Sequence, residues 1–201
     1  MTFNPDIHHR RSIRLQDFDY ASAGAYYVTI CAQGRECLFG AVVDGVMIEN
    51  DAGRMVGRWW KELANKFGGV EPDTFVIMPD HFHGIIFLVG ADLCVRPDLP
   101  PENESGAHTG APLPTIIQWF KTMSTNEYIK NVSPSRWPVF PGRLWQRNYF
   151  ERVIRNDAEL DQFRDYILTN PARWIGQDAE NPHNVRINMT TGTIPGSGGP
   201  V

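Results

Sequence analysis

Residues 78–89 read MPDHFHGIIFLV, and no other stretch limits the possible folds as tightly. The unbroken run from Ile85 to Val89 needs cover on both sides, so it reads as a central β-strand. Within the same strand His81 and His83 flank Phe82. Side chains at i and i+2 of a strand leave from one face, about 6 to 7 Å apart along it. Two imidazoles so placed can share one divalent cation or grip one phosphate. They can equally be packed or solvated histidines on a half-buried strand, so the rest of the chain has to decide.

Residues 74–78 are also dominated by β-branched and aromatic side chains. The Pro79-Asp80 between the two runs is turn chemistry, so they are expected to pair antiparallel as central strands. Residues 25–33 (AYYVTICAQ) predict another strand, and Asp44-Gly45 predicts a hairpin with arms at 41–43 and 46–48. Met55, Val56, Trp59, Trp60, Leu63 and Phe67 recur at helical spacing over 51–67, before the stop at Gly68-Gly69. A second helix is expected over 115–129. Residues 144–155 (LWQRNYFERVIR) alternate enough for an edge strand. Asn156 then caps a third helix, Glu159 completes a variant capping box, and Pro171 stops the helix while disfavouring helical geometry at Asn170.

With 201 residues the chain suits one domain, 1–181, with a proline-rich loop or insertion at 90–114 and a low-complexity, disordered tail at 182–201. Three cysteines, none in a Cys-x-x-Cys pair, fit a reducing compartment better than a disulfide framework. No apolar run reaches the roughly 18 to 20 residues of a membrane span, and the N-terminus lacks the apolar core of a signal peptide. A cytoplasmic, nucleoid-associated protein with no membrane partner is expected.

The net charge of −4 argues against a nucleic-acid partner. The average conceals a segregation: residues 111–155 carry seven bases against two acids. One basic face on an acidic molecule would explain it, as would scattered solvated arginines. On the last helix Tyr166 and Asn170 lie four apart, hence on one face a turn from each other, where a phenol and an amide can meet one ligand. A tyrosine beside Phe163 and Ile167 can also be a core residue whose hydroxyl has found a partner.

MPDHFHGIIFLV, LWQRNYFERVIRNDAEL and YILTNPARW, in that order after YYVTICAQGRECLFG, resemble the motifs of the single-tyrosine His-hydrophobic-His transposases, and among these the REP-associated tyrosine transposases. The likeness runs from about residue 10 to residue 174. It implies an α+β fold with a ferredoxin-like central antiparallel sheet, His81, His83 and Asn170 as metal ligands, Tyr166 as nucleophile, and Mg²⁺ or Mn²⁺ as cofactor. The implied partner is single-stranded or hairpin DNA, and relatives are monomers or homodimers. The implied reaction is metal-dependent cleavage and rejoining of DNA at hairpin elements through a 5′-phosphotyrosine.

For DNA selection, residues 136–155 interleave arginines with aromatics, a mix in which each stacked base contributes about 1 to 3 kcal/mol. Arg143, Arg147, Arg152 and Arg155 are the candidate backbone contacts, and Trp145 and Tyr149 the candidate stacking platforms. Trp145 and Phe150 can instead belong to the core. Arg10, Arg11 and Arg14 could add a basic arm. Two other readings remain open: a hairpin-DNA-binding protein that keeps the fold without turnover, and a metal-dependent phosphodiesterase that releases product to water.

Overall fold

A computed structural model describes residues 22–89, 111–133 and 136–174. Its elements run β1 (Gly24–Cys31), a 3-10 turn (Gln33–Arg35), β2 (Gly40–Val43), β3 (Val46–Glu49), α1 (Asp51–Lys61), α2 (Leu63–Lys66), β4 (Val70–Ile77), β5 (His81–Leu88), α3 (Leu113–Asn131), β6 (Phe150–Ile154), α4 (Asp157–Thr169) and a closing 3-10 turn (Pro171–Arg173). The main sheet has the order β4-β5-β1-β6, every neighbouring pair antiparallel. Helix α1 carries the chain from β1 to β4 across β5, and α3 carries it from β5 to β6 across β1. This double split βαβ is the ferredoxin-like α+β arrangement.

Strand alternation divides the core in two. Tyr26, Val28 and Ile30 of β1 and Phe82, Ile86 and Leu88 of β5 face α1 and α3, meeting Met55, Trp60, Ile117 and Phe120. Their neighbours Ala25, Tyr27 and Ile85 face α4 and meet Phe163 and Ile167. On the larger side a Cβ at Gly84 would come within 2.8 Å of both the Phe82 ring and Trp60 Cζ2, so the missing side chain is what lets Trp60 close onto the sheet.

Several expectations need correction. Strand β4 is an edge strand, not a central one: it pairs with β5 alone, and it tolerates Pro72 beside a register shift, where a central strand would lose a ladder bond. The first helix divides at Glu62 into α1 and α2. The proline-rich loop is shorter than expected at its C-terminal end, because Leu113 and Pro114 already belong to α3, where proline in the first turn costs no hydrogen bond. Residues 90–110 of that loop, the N-terminal arginines and the 182–201 tail lie outside the described residues. The expected edge strand exists only at 150–154. Residues 144–146 instead extend the end of β1, with Gln33 N donating to Leu144 O and Gln146 N to Cys31 O.

The Asp44-Gly45 hairpin is present, with φ of 50° and 75° at its two turn residues. The α4 cap is present too: Asn156 Oδ1 accepts from Glu159 N at 2.9 Å. The returning Glu159 carboxylate takes Arg155 N, one residue before the expected partner.

Candidate metal and nucleophile site

His81 and His83 leave β5 on the face covered by α4, and are only 6% and 4% exposed. Their register partners on β1 are Cys31 and Thr29. The rings meet edge to face, and the two Nε2 atoms converge to 2.9 Å. Behind His81, Nδ1 lies 2.5 Å from Asp80 Oδ1, and Asp80 Oδ2 pairs with Arg35 Nε at 2.8 Å. Behind His83, Nδ1 lies 2.7 Å from Tyr27 Oη and 2.8 Å from Thr29 Oγ1, and Thr29 donates to the Tyr27 oxygen.

Burial pushes the pKa of both imidazoles down. At His81 the Asp80 hydrogen bond and charge oppose the shift, while at His83 the neighbouring His81 and Arg35 add to it. Both rings are therefore neutral at pH 7, the form that can ligate a cation, and the His81–Asp80 contact is a hydrogen bond rather than an ion pair.

Helix α4 brings the second half of the site. The Tyr166 ring stands edge-on to His83 at 5.5 Å and to Tyr27 at 6.3 Å. Burial raises the Tyr166 pKa, against which a hydrogen bond from Asn170 and the fields of Arg173 and Arg35 act. Asn170, 8% exposed, keeps helical dihedrals of −57° and −43° despite the proline that follows. The expected distortion there does not occur, and Pro171 opens a 3-10 turn, a position at which its missing N–H costs no hydrogen bond. That turn brings the Trp174 ring 5.7 Å from His81.

The geometry can be tested against a divalent cation. Two cis ligands of an octahedral ion with bonds of about 2.1 Å stand about 3 Å apart, close to the observed Nε2 separation. Among the described residues no cluster of three His, Cys, Asp or Glu side chains could hold a metal. Among the described residues a third protein ligand would be of another type, such as the Asn170 amide. Two imidazoles plus amide and water oxygens would make a mixed set in which the oxygens suit Mg²⁺ or Mn²⁺ and the imidazoles suit Zn²⁺ and the later transition metals.

The basic stretch divides. Arg143, Arg147 and Arg155 are exposed. Lys121 Nζ donates to the Gln146 and Arg147 carbonyls, and Gln146 holds Cys31, so the loop bearing Arg143 and Arg147 is fastened at the end of β1 that faces His81. Arg152 is committed to Glu159 and lies over the Phe163 ring. Trp145 is a core residue, not a stacking platform: it is 3% exposed, packs on Phe39 and Phe120, and gives its indole N–H to Ser124 Oγ. Tyr149 is half-buried against the larger core. Among the described residues no helix is long and apolar enough to cross a membrane.

Sequence reasoning missed Asp80, Arg35, Tyr27, Thr29 and Trp174. Asp80 was open to detection, since a carboxylate beside a histidine is a common partner for its Nδ1. The others depend on strand register and turn path.

No family model matches the chain. A Haemophilus influenzae protein whose own role is uncharacterised is 37% identical over 179 residues, spanning 86% of this chain and 93% of the relative. A second protein of that organism, provisionally named a REP-associated tyrosine transposase, is 25% identical over 158 residues, 77% of this chain and 74% of the relative. A solved REP-associated tyrosine transposase bound to a REP hairpin superposes with a TM-score of 0.50 at 16% identity, covering 82% of this chain and 74% of the other. That likeness is one of fold, the His-hydrophobic-His transposase fold. The chain is thus similar over most of its length to that uncharacterised protein, more distantly similar to a REP-associated tyrosine transposase in sequence, and shares the fold of another.

Proposed function

We propose that the protein is a metal-dependent DNA strand transferase that cleaves and rejoins single-stranded DNA at hairpin elements, with Tyr166 as nucleophile. One observation carries this reading: the converging Nε2 atoms of His81 and His83, with the Tyr166 ring standing against His83. Hairpin DNA as substrate is supported by the relative solved with a REP hairpin and by the exposed Arg143 and Arg147 at the site end of β1.

In this reading His81, His83 and the Asn170 amide oxygen hold a Mg²⁺ or Mn²⁺ ion, which supplies Lewis acidity toward an oxygen of the scissile phosphate. Tyr166 Oη attacks phosphorus. The bond from phosphorus to the 3′-oxygen breaks, the phenol proton goes to solvent, and the departing 3′-oxygen takes up a proton. The product is a 5′-phosphotyrosine that keeps the energy of the phosphodiester, so a second 3′-hydroxyl can reverse the step without water. Asn170 N–H donation to the phenolic oxygen favours the ionised nucleophile, and burial opposes it. Helix α4 meets the sheet through Phe163 and Ile167, which fixes the phenol relative to the histidines.

The test uses hairpin oligonucleotides taken from inverted repeats flanking the gene, labelled on the 5′-phosphate side of the cut and incubated with Mg²⁺ or Mn²⁺. A covalent protein–DNA band on a denaturing gel is expected. Cleaved product without that band would favour the phosphodiesterase, and tight binding without cleavage the inactive DNA-binding protein.

A further inference from the structure

The two imidazoles are supported from behind by unlike partners, and the asymmetry dictates where their protons sit. Asp80 is 1% exposed and occupied on both oxygens, by Arg35 and by His81 Nδ1. A carboxylate only accepts, so the proton of His81 is on Nδ1 and its Nε2 offers a lone pair. His83 Nε2, 2.9 Å from that lone pair, must then carry a proton when no cation is present, which makes His83 Nδ1 an acceptor. Tyr27 can supply the missing bond, because Thr29 donates to the Tyr27 oxygen and leaves the Tyr27 proton to point at Nδ1.

The backbone adds an independent observation. Arg35 has φ of 60°, left-handed for a residue with a side chain, directly after Gly34 at 69°. That strained turn places the guanidinium on Asp80, and its Nη1 also donates to Cys31 Sγ at 2.9 Å.

We propose that Arg35 and Asp80 are a positioning pair that locks His81 in its Nδ1–H tautomer, while the Tyr27 and Thr29 hydroxyls allow His83 to change tautomer when a divalent cation enters. The proposal rests on the metal-site reading above. Protons balance: the His83 ring gives up the proton on Nε2 and carries one on Nδ1 instead, where a Tyr27 or Thr29 oxygen accepts it. One histidine is thus preset as a ligand and the other is adaptable.

The experiment is ¹⁵N NMR of the histidine rings in the full chain, metal-free and with Mg²⁺, alongside calorimetric titration with Mn²⁺ in the absence of DNA. In wild type, His81 is expected as Nδ1–H in both states, and His83 as Nε2–H without Mg²⁺ and Nδ1–H with it. Asp80→Asn offers a donor as well as an acceptor, so His81 should become a tautomer mixture and Mn²⁺ affinity should fall tenfold to a hundredfold. Arg35→Gln keeps the carboxylate and should move both readouts less, in the same direction; it serves if near-UV circular dichroism shows that Asp80→Asn does not fold. An Nε2–H tautomer at His81 in wild type, or Mn²⁺ affinity within twofold of wild type in the folded variants, overturns the proposal. The expected metal-free tautomers in a wild-type protein that binds neither Mg²⁺ nor Mn²⁺ would support the His81 lock but overturn both the His83 change and the metal-site reading.

Discussion

The two faces of β5 are built by one alternation and serve opposite ends. Phe82, Gly84 and Ile86 point at α1 and α3, where ring meets ring: Phe82 packs on Trp60 at 4.7 Å and on Phe120 at 5.5 Å. His81 and His83 point at α4, where nearly every buried polar atom is assigned to a partner. Both faces are buried, so burial alone does not separate scaffold from site. They differ in what burial does: on the Phe82 face it is the stabilising term, whereas on the histidine face it is a cost offset by hydrogen bonds and used to keep two imidazoles neutral.

The largest effect expected on that division is chemical. Tyr166→Phe removes one oxygen from a half-buried ring and leaves the hydrocarbon contacts with His83 and Tyr27 in place. The covalent adduct should vanish, while DNA affinity, Mn²⁺ affinity and Tm stay near wild type. A Tyr149→Phe variant run beside it guards the assignment: an adduct that survives in Tyr166→Phe and is lost in Tyr149→Phe would move the nucleophile from α4 to the residue before β6.

Next comes the exchange of faces. Phe82→Ala opens a cavity beneath Trp60 and should lower stability by about 3 to 5 kcal/mol, read by urea denaturation. His83→Ala, one residue away and equally buried, removes a ring held by polar partners and should lower stability much less, while metal-dependent cleavage is lost as it is in wild type with chelator. If His83→Ala unfolds the protein as readily as Phe82→Ala, the histidine face is a second core and the division fails.

What could be read from the sequence follows the range of the interactions. The α4 cap, the Asp44-Gly45 turn and the alternation of β5 are local, and all three are in place. The edge position of β4 is a matter of strand order, which local pattern does not encode. Tyr27 and Thr29 read only as strand residues, because their role depends on a register that sets Thr29 opposite His83. Asp80 reads in the sequence as turn chemistry, which it is by position, yet it is among the most buried polar groups described. Trp145 carried two open readings, platform or core, and only the fold decides between them: β1 extends to meet residues 144–146 and turns the indole inward.

A smaller effect tests the surface rather than the faces. Neutralising Arg143 and Arg147 together, as Arg→Gln, should weaken binding to all DNA sequences and reduce the salt slope by roughly 0.7 per lost phosphate contact on single strands. Adduct formation at saturating DNA should persist, since neither side chain is at the histidines. An unchanged slope, measured between 50 and 200 mM salt as a range of about fourfold, would route the DNA elsewhere.

The smallest effect concerns pH, and its sign follows from burial. Both histidine pKa values are lowered in the folded protein, His83 more strongly, so below the ordinary value of about 6.5 the unfolded chain binds protons that the folded site refuses. The metal-free protein should therefore have this part of its stability in full above about pH 6.5 and lose it as pH falls from there through the lowered folded values, by at most about 1.4 kcal/mol per pH unit for each proton taken up. Carboxylates titrate at lower pH and complicate the absolute curve, but the difference between variants removes them. Phe82→Ala should shift the urea midpoint by a similar amount at pH 7.5, 6.5 and 5.5, because the lost contacts are uncharged. His83→Ala should flatten the slope across the same range, because the imidazole that resists protonation most is gone. Parallel slopes in all three proteins would mean that the histidine face admits water and protons freely, and its contrast with the Phe82 face would then be one of residue type rather than of environment.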